Sequence, residues 1–404
     1  MTQSSRSRTE RPRIAILGAG PIGLDAALAA TDAGLPCTVF EAGPRVADNI
    51  RGWGHVRLFT PWTMNVSARM LRHLADVGVK VPQDDSCPTG EELVSRLLDP
   101  LAGLQEIAAN LVLGTRVLGI GRQGLLKHEE IGTQERGARP FRILLERTDG
   151  GRAVEYASVV LDCTGTYGTP NATGDGGIAA PGEERLDGRI QRTLPDFARD
   201  GQAWAGRTIL LVGAGKSAQS AARDLVEMVS SAPGTQVIWA VRGTQPDWGE
   251  IPDDPIPERQ ALVTSSKQMD AGHVPGIRVE HGAPVQSFRL EDGRIVAGLG
   301  VSGDREVRVD RVLSLTGYVP DASLYRQLQV HECYATSAPM NLAAQLLGAG
   351  VNCLELPAQG VDTLSNPEPG FFVLGAKSYG RLSFFLLRNG YEQVTTVFEA
   401  SFGG

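Results

Sequence analysis

The sequence predicts an α/β fold in which two parallel βαβ units, each with a glycine-rich turn, occupy separate stretches of one chain. Three observations predict it. A short apolar run at residues 13–17 ends in glycine, is followed by helix formers at 21–33, and leads to a second apolar run at 37–40. The arrangement recurs with runs at 208–212 and 236–241 around helix formers at 216–229. Two further apolar runs, 159–163 and 312–315, each lead into Thr-Gly. Runs apolar throughout, bounded by glycine, are what strands buried on both faces require.

The first unit starts at Arg13, after a polar, arginine-bearing stretch, residues 1–12, that lacks the apolar segment of a secretory signal and reads as a disordered tail. Its helix has a natural stop at Gly34. The second unit lies between the two Thr-Gly runs. One domain inserted into another accounts for that order: residues 13–200 and 308–404 form one domain, and 201–307 the inserted one. Glycine- and proline-rich stretches at 167–184 and 245–258 read as loops. A strand at 371–374 and a helix at 382–398 close the chain.

Composition bounds the function. The chain has 404 residues, 42% hydrophobic and 21% charged, which suits a globular protein of more than one domain. A formal net charge of -7 argues against a general affinity for nucleic acid or anionic membranes. No apolar stretch is long enough to span a bilayer. The cysteines, Cys37, Cys87, Cys163, Cys333 and Cys353, are scattered and never spaced Cys-x-x-Cys. That pattern predicts reduced thiols in a cytoplasmic protein, without a disulfide framework, zinc site or dithiol relay. The histidines show no ligand spacing, and no metal site is expected.

The chemistry-bearing residues begin with Gly18-Ala19-Gly20-Pro21-Ile22-Gly23. Gly18 allows the tight turn, Gly20 lets the backbone approach a pyrophosphate, and Gly23 lets the helix pack close to the strand. Glu41 follows the second strand, where a carboxylate accepts from ribose hydroxyls; taken alone it reads better as a solvated loop residue, and its combination with the glycine turn carries the assignment. The second turn is Gly213-Ala214-Gly215-Lys216-Ser217-Ala218, with alanine tolerated in the third place. The strand after it ends in Arg242. A guanidinium there grips a 2′-phosphate and favours NADPH, whereas the plain alternative is a surface arginine. Lys216 reads either as a phosphate contact or as a solvated first-turn lysine.

With these turns, Asp162-Cys163-Thr164-Gly165, Leu315-Thr316-Gly317-Tyr318, Phe372-Val373-Leu374-Gly375 and Lys377-Ser378-Tyr379-Gly380, the chain resembles the flavoproteins with two dinucleotide-binding domains. Within them it is similar to the class B flavin monooxygenases, including the flavin-containing and N-hydroxylating enzymes. The resemblance implies two Rossmann-like domains, the NAD(P)H domain inserted into a discontinuous FAD domain. It places Gly18, Gly20, Pro21, Ile22, Gly23 and Glu41 on FAD, with Thr164, Gly165, Thr316 and Gly317 at the domain crossings and Gly375 and Ser378 near the flavin. Gly213, Gly215, Lys216, Ser217, Ala218 and Arg242 fall to NADPH. Relatives often carry an acid after the glycine of the last strand; here it is Ala376.

The stretch 53–65 ends in Asn65, matching an asparagine that contacts the reacting centre in flavin-containing monooxygenases; a helix N-cap is the alternative. Trp53, His55 and Trp62 cluster in the same stretch and read as the wall of a flavin or substrate pocket or as core, with Trp62 taken as a cofactor contact. The implied reaction is oxygenation of a nitrogen or sulfur atom of a small molecule through a C4a-(hydro)peroxyflavin, with molecular oxygen as co-substrate. No glycine–histidine–aromatic fingerprint of Baeyer–Villiger enzymes precedes the second turn. The competing readings are a flavin reductase serving a protein partner and a non-catalytic dinucleotide sensor. Substrate and oligomeric state are not written in the sequence.

Overall fold

The computed structural model describes residues 11–186, 188–348 and 359–403. Cys353 and nearly all of the expected tail lie outside them. Of that tail, Arg11 donates from Nη1 to Gly34 O at 2.7 Å.

Two separate five-stranded parallel sheets carry the two glycine turns. From edge to edge, the first is Phe371–Val373, Val159–Asp162, Ile14–Leu17, Cys37–Phe40 and Leu111–Val112. Ile14–Leu17 pairs in register with Cys37–Phe40 on one side and Val159–Asp162 on the other. It is central and wholly buried, as its unbroken apolar run requires. The second sheet runs Ile277–Glu280, Gln236–Ala240, Thr208–Val212, Arg311–Ser314 and Ile190–Gln191.

This second sheet corrects the expected boundaries. Ile190–Gln191 and Arg311–Ser314 both belong to it, so its strands span 190–314 and not 201–307. A short apolar run reads the same whichever sheet it joins. Membership is decided by the partner it meets, here Leu210 opposite Val312.

Each parallel sheet has an antiparallel companion that the sequence pattern did not announce: Thr115–Arg122 with Phe141–Arg147 and Arg152–Ala157, and Val285–Glu291 with Arg294–Leu299 and Arg305–Val309. Phe141, Ile143 and Leu145 of the former pack with Leu17 and Val160 of the first parallel sheet. Helix Pro21–Asp32 is buried from Pro21 to Ala30, because the sheet covers one face and the last helix, Leu387–Phe402, covers another. Gly34, at φ +63°, ends it where a side chain would be strained. The last helix starts at Leu387, five residues later than the pattern suggested. No described helix is long and apolar enough to cross a membrane.

Candidate dinucleotide and substrate site

The first glycine turn has the shape its three glycines forecast. Gly18 adopts φ +92°, and a Cβ on it would lie 2.9 Å from Cys163 O. A Cβ on Gly23 would overlap Gly18 O. At Gly20, by contrast, a Cβ meets nothing within 4 Å. The middle position is therefore open on the side where a ligand backbone approach needs room.

Helix Pro21–Asp32 begins without a side-chain cap, with Pro21 at its first position. Its first-turn N–H groups remain available to an anion, and the helix dipole favours one. The Glu41 carboxylate is drawn to the mouth of this turn. Its Oε2 accepts from Ala19 N at 2.8 Å and its Oε1 from Gly43 N at 2.7 Å. Lone pairs remain on both oxygens for hydroxyl donors.

The second turn repeats the plan. Gly213 adopts φ +122° and a Cβ there would overlap Leu315 O, whereas a Cβ on Gly215 meets nothing within 4 Å. Helix Lys216–Ser231 has no side-chain cap, Ser217 is exposed and Ala218 is fully buried. Arg242 stands exposed beyond strand Gln236–Ala240, with no hydrogen bond or ion pair among the described residues. Lys216 is held by a neighbouring loop. Its Nζ donates to Trp248 O at 3.0 Å and so ties the 245–258 loop to the helix start. Gln219 Nε2 donates to the same carbonyl at 2.9 Å. Trp248 itself is buried at φ +57°, a left-handed conformation that this clamp sustains.

The crossings meet the turns. A Cβ on Gly18 would lie 3.2 Å from Thr164 Cα, and one on Gly213 would lie 3.6 Å from Thr316 N. Gly165 and Gly317 have φ of +68° and +86°. Asn171 bridges the two crossings, with N donating to Gly317 O at 2.9 Å and Nδ2 to Thr316 O at 3.0 Å.

Past the last strand, Gly375 adopts φ +72°, and a Cβ on it would lie 3.0 Å from Ile22 Cγ1. Its N–H donates to Gln393 Oε1 at 2.8 Å. Ser378, fully buried, donates to Gly375 O and accepts from Gln393 Nε2. No acid occupies position 376. The next residue, Lys377, turns inward, and its Nζ donates to Asp162 Oδ2 at 2.6 Å and to Thr164 Oγ1 at 3.1 Å. Sequence reasoning quoted both residues within its motifs but assigned neither a role. A lysine placed between two glycines of a buried segment was the available signal.

The 53–65 stretch is structured from within. Both N–H groups of the Asn65 amide are used, donating to Thr60 O at 2.8 Å and Pro61 O at 2.9 Å, while Oδ1 accepts from Thr60 Oγ1 at 2.9 Å. Contact with a reacting centre through an N–H would have to break one of these bonds. The capping alternative is corrected: helix Ala68–Asp76 takes Ser67 as its cap, through a bond from Met70 N at 3.0 Å. Trp62 lies 2% exposed in the core between the first sheet and its helices.

Ser67 also donates to Asp25 Oδ1 at 2.5 Å, and Arg69 donates to Asp25 Oδ2 at 2.7 Å. Asp25 is fully buried in the first helix, and that desolvation, opposed by Arg69, pushes its carboxyl up to about 6. Burial likewise holds the Cys163 thiol well above its ordinary value. Among the described residues, no three His, Cys, Asp or Glu side chains converge as a metal site.

The pairing of two tyrosines beside Trp53 was not expected from the sequence. The ring of Tyr167, from the outgoing crossing, stands 4.9 Å from that of Tyr318, from the return crossing, edge to face. Trp53 lies 5.8 Å from Tyr167. An aromatic residue shortly after each Thr-Gly was the sequence signal.

No protein-family model matches the chain, and a search of curated proteins finds no match. Solved structures do match. The bacillithiol disulfide reductase Bdr (YpdA) from Bacillus cereus superposes with a TM-score of 0.68 at 19% identity, covering 98% of this chain and 99% of that one. DfoA, the desferrioxamine-pathway cadaverine monooxygenase from Erwinia amylovora, gives 0.63 at 15% identity over 97% and 95%. The ornithine N-hydroxylase KtzI from Kutzneria sp. 744 gives 0.60 at 15% over 98% and 99%. With two parallel sheets, each bearing an open glycine turn, and this end-to-end likeness, the chain has the fold of the flavoproteins that carry two dinucleotide-binding domains.

Proposed function

We propose that the chain is an FAD- and NADPH-dependent oxidoreductase that transfers one oxygen atom from molecular oxygen to a nitrogen or sulfur of a small molecule. The observation that carries the two-cofactor reading is the pairing of two glycine positions, Gly20 and Gly215, that are open where neighbouring glycines are closely packed. Each precedes an uncapped helix. The sheet around Ile14–Leu17 takes FAD, and the sheet around Thr208–Val212 takes NADPH. Bound FAD supplies hydride acceptance and oxygen activation, which no side chain here provides.

The chain's own residues bind and orient. Glu41 accepts from the ribose of FAD, and the first turns of both helices receive pyrophosphate. Arg242, with its donors uncommitted, receives the 2′-phosphate of NADPH. Asn65 acts by holding the 53–65 loop in place, its amide spanning Thr60 and Pro61. Overall, NADPH contributes a hydride and solvent a proton; one oxygen atom enters the product and the other leaves as water. Oxygenation is favoured over a dithiol relay because the sequence has no Cys-x-x-Cys and Cys163, beside the first turn, is buried and held protonated.

A second reading, a reductase that passes electrons to another acceptor, is favoured by the end-to-end likeness to a disulfide reductase. One experiment separates the two. The FAD-loaded protein is supplied with NADPH and oxygen and screened against amines and sulfides. An N- or S-oxide formed in step with NADPH oxidation supports oxygenation. NADPH oxidation without any oxygenated product, but with reduction of an added disulfide or protein acceptor, replaces it with the reductase.

A further inference from the structure

We propose that Trp53, Tyr167, Tyr318 and Arg381 form a substrate-recognition site for a small carboxylate with a planar, apolar body. The proposal rests on the oxidoreductase reading only in calling the ligand a substrate. Position is the first argument. Thr164 packs on the first glycine turn and Thr316 on the second. Tyr167 and Tyr318 stand shortly after them, and their rings touch. A molecule stacked on this pair is within reach of both dinucleotide sites at once.

The second argument is that the cluster is unfinished. Tyr167, a large ring packed edge to face on Tyr318, is still 44% exposed. Trp53 Nε1 is buried with no hydrogen-bond acceptor among the described residues. A buried N–H left unpaired is costly, and native proteins retain such groups mainly where a ligand or function accounts for them.

Charge selects the ligand. Arg381 follows Gly380 on the turn after the last strand, and its N–H donates to Thr336 O at 2.8 Å. Among the described residues, its exposed guanidinium makes one long contact, from Nη1 to Asn171 Oδ1 at 3.5 Å. Asn171 is bonded to Gly317, the residue before Tyr318. The guanidinium therefore lies along the same crossing as the aromatic pair, with most of its donors uncommitted. A planar carboxylate satisfies such a fork with two parallel bonds, while the body of the ligand stacks on the rings. The neighbouring Arg192 is already paired with Glu183 at 2.7 Å, so it leaves Arg381 as the group that discriminates. A cationic amine would meet the faces of the rings but be repelled by Arg381.

The test is calorimetric titration of the full chain, FAD-loaded, with benzoate, phenylacetate, benzylamine and benzyl alcohol. Benzoate or phenylacetate is expected to bind saturably with Kd of about 1 mM or tighter, and the amine and alcohol at least about tenfold more weakly. Arg381→Met is expected to weaken the carboxylate about tenfold or more, and Tyr167→Leu to weaken carboxylate and alcohol alike. Absence of saturable binding by both carboxylates, benzylamine binding as tightly as benzoate, or an Arg381→Met protein that binds as wild type would each overturn the proposal. Flavin content is read separately from visible absorbance. Loss of FAD alone overturns the cofactor reading, since the heats of carboxylate binding do not depend on colour.

Discussion

Lys377 Nζ lies 2.6 Å from Asp162 Oδ2, and neither side chain has any exposed surface. The pair joins the turn after the last strand of the first sheet to the end of the neighbouring strand, and Thr164 completes it from the crossing. A lysine thus locks the segment that follows Gly375. Removing one partner leaves the other buried and uncompensated. Lys377→Met is expected to lower stability by about 3–5 kcal/mol. The double variant Asp162→Asn with Lys377→Met should recover a large part of that loss. Denaturant unfolding of the wild type, each single variant and the double variant checks it; a double variant as unstable as the sum of the single ones would show that charge is not the cause.

The glycines divide by function. Gly20→Ala and Gly215→Ala add a methyl group where nothing lies within 4 Å, at negative φ, so melting temperature should stay near wild type. FAD affinity should fall by about tenfold or more for Gly20→Ala, and NADPH affinity similarly for Gly215→Ala. Gly23→Ala is different, because its methyl would overlap Gly18 O, and the expected result is loss of folded protein. Melting curves and cofactor titrations separate the three.

Nucleotide preference is expected to depend on Arg242. Arg242→Ala should raise the apparent constant for NADPH by about tenfold and that for NADH little. Steady-state kinetics with both nucleotides decide it, and an equal effect on both would deny the phosphate role.

Asn65→Ala removes the clamp on Thr60 and Pro61 without touching either glycine turn. The variant should retain FAD and still oxidise NADPH. Coupling should suffer, with hydrogen peroxide replacing oxygenated product. Peroxide formed per NADPH oxidised is the measurement, and an unchanged ratio would remove Asn65 from the reaction.

Asp25 makes stability depend on pH. Its carboxyl sits at about 6 in the folded chain against 3.8 for the ordinary group, so the folded state binds the proton more tightly. The contribution is present below pH 3.8 and is lost as pH rises through 6. Relative to Asp25→Asn, the wild-type protein should therefore lose about 2 kcal/mol between pH 4 and pH 7. Denaturant midpoints of the two proteins across that range provide the check. A difference that does not vary with pH would mean that the buried carboxyl does not titrate there.

Much of this protein is local and was legible from residue order. Both glycine turns, the helices they open and the strands that feed them depend on contacts between near neighbours, and the strand Thr208–Val212 and the helix start at Pro21 appear where the pattern put them. Glu41 was legible for the same reason: it follows its strand directly, and its carboxylate turns back onto Ala19. What the order could not decide is partnership at long range. An apolar run ending in Thr-Gly fits either sheet, and only register assigned Arg311–Ser314 to the second. Lys216 and Asn65 have side chains suited to ligands, and only the folded chain shows the loop carbonyls to which they are bonded. The pairing of Lys377 with Asp162, and of Tyr167 with Tyr318, joins residues far apart in the chain. Such contacts carry no periodicity, and they exist only once the tertiary fold has closed both crossings against the glycine turns.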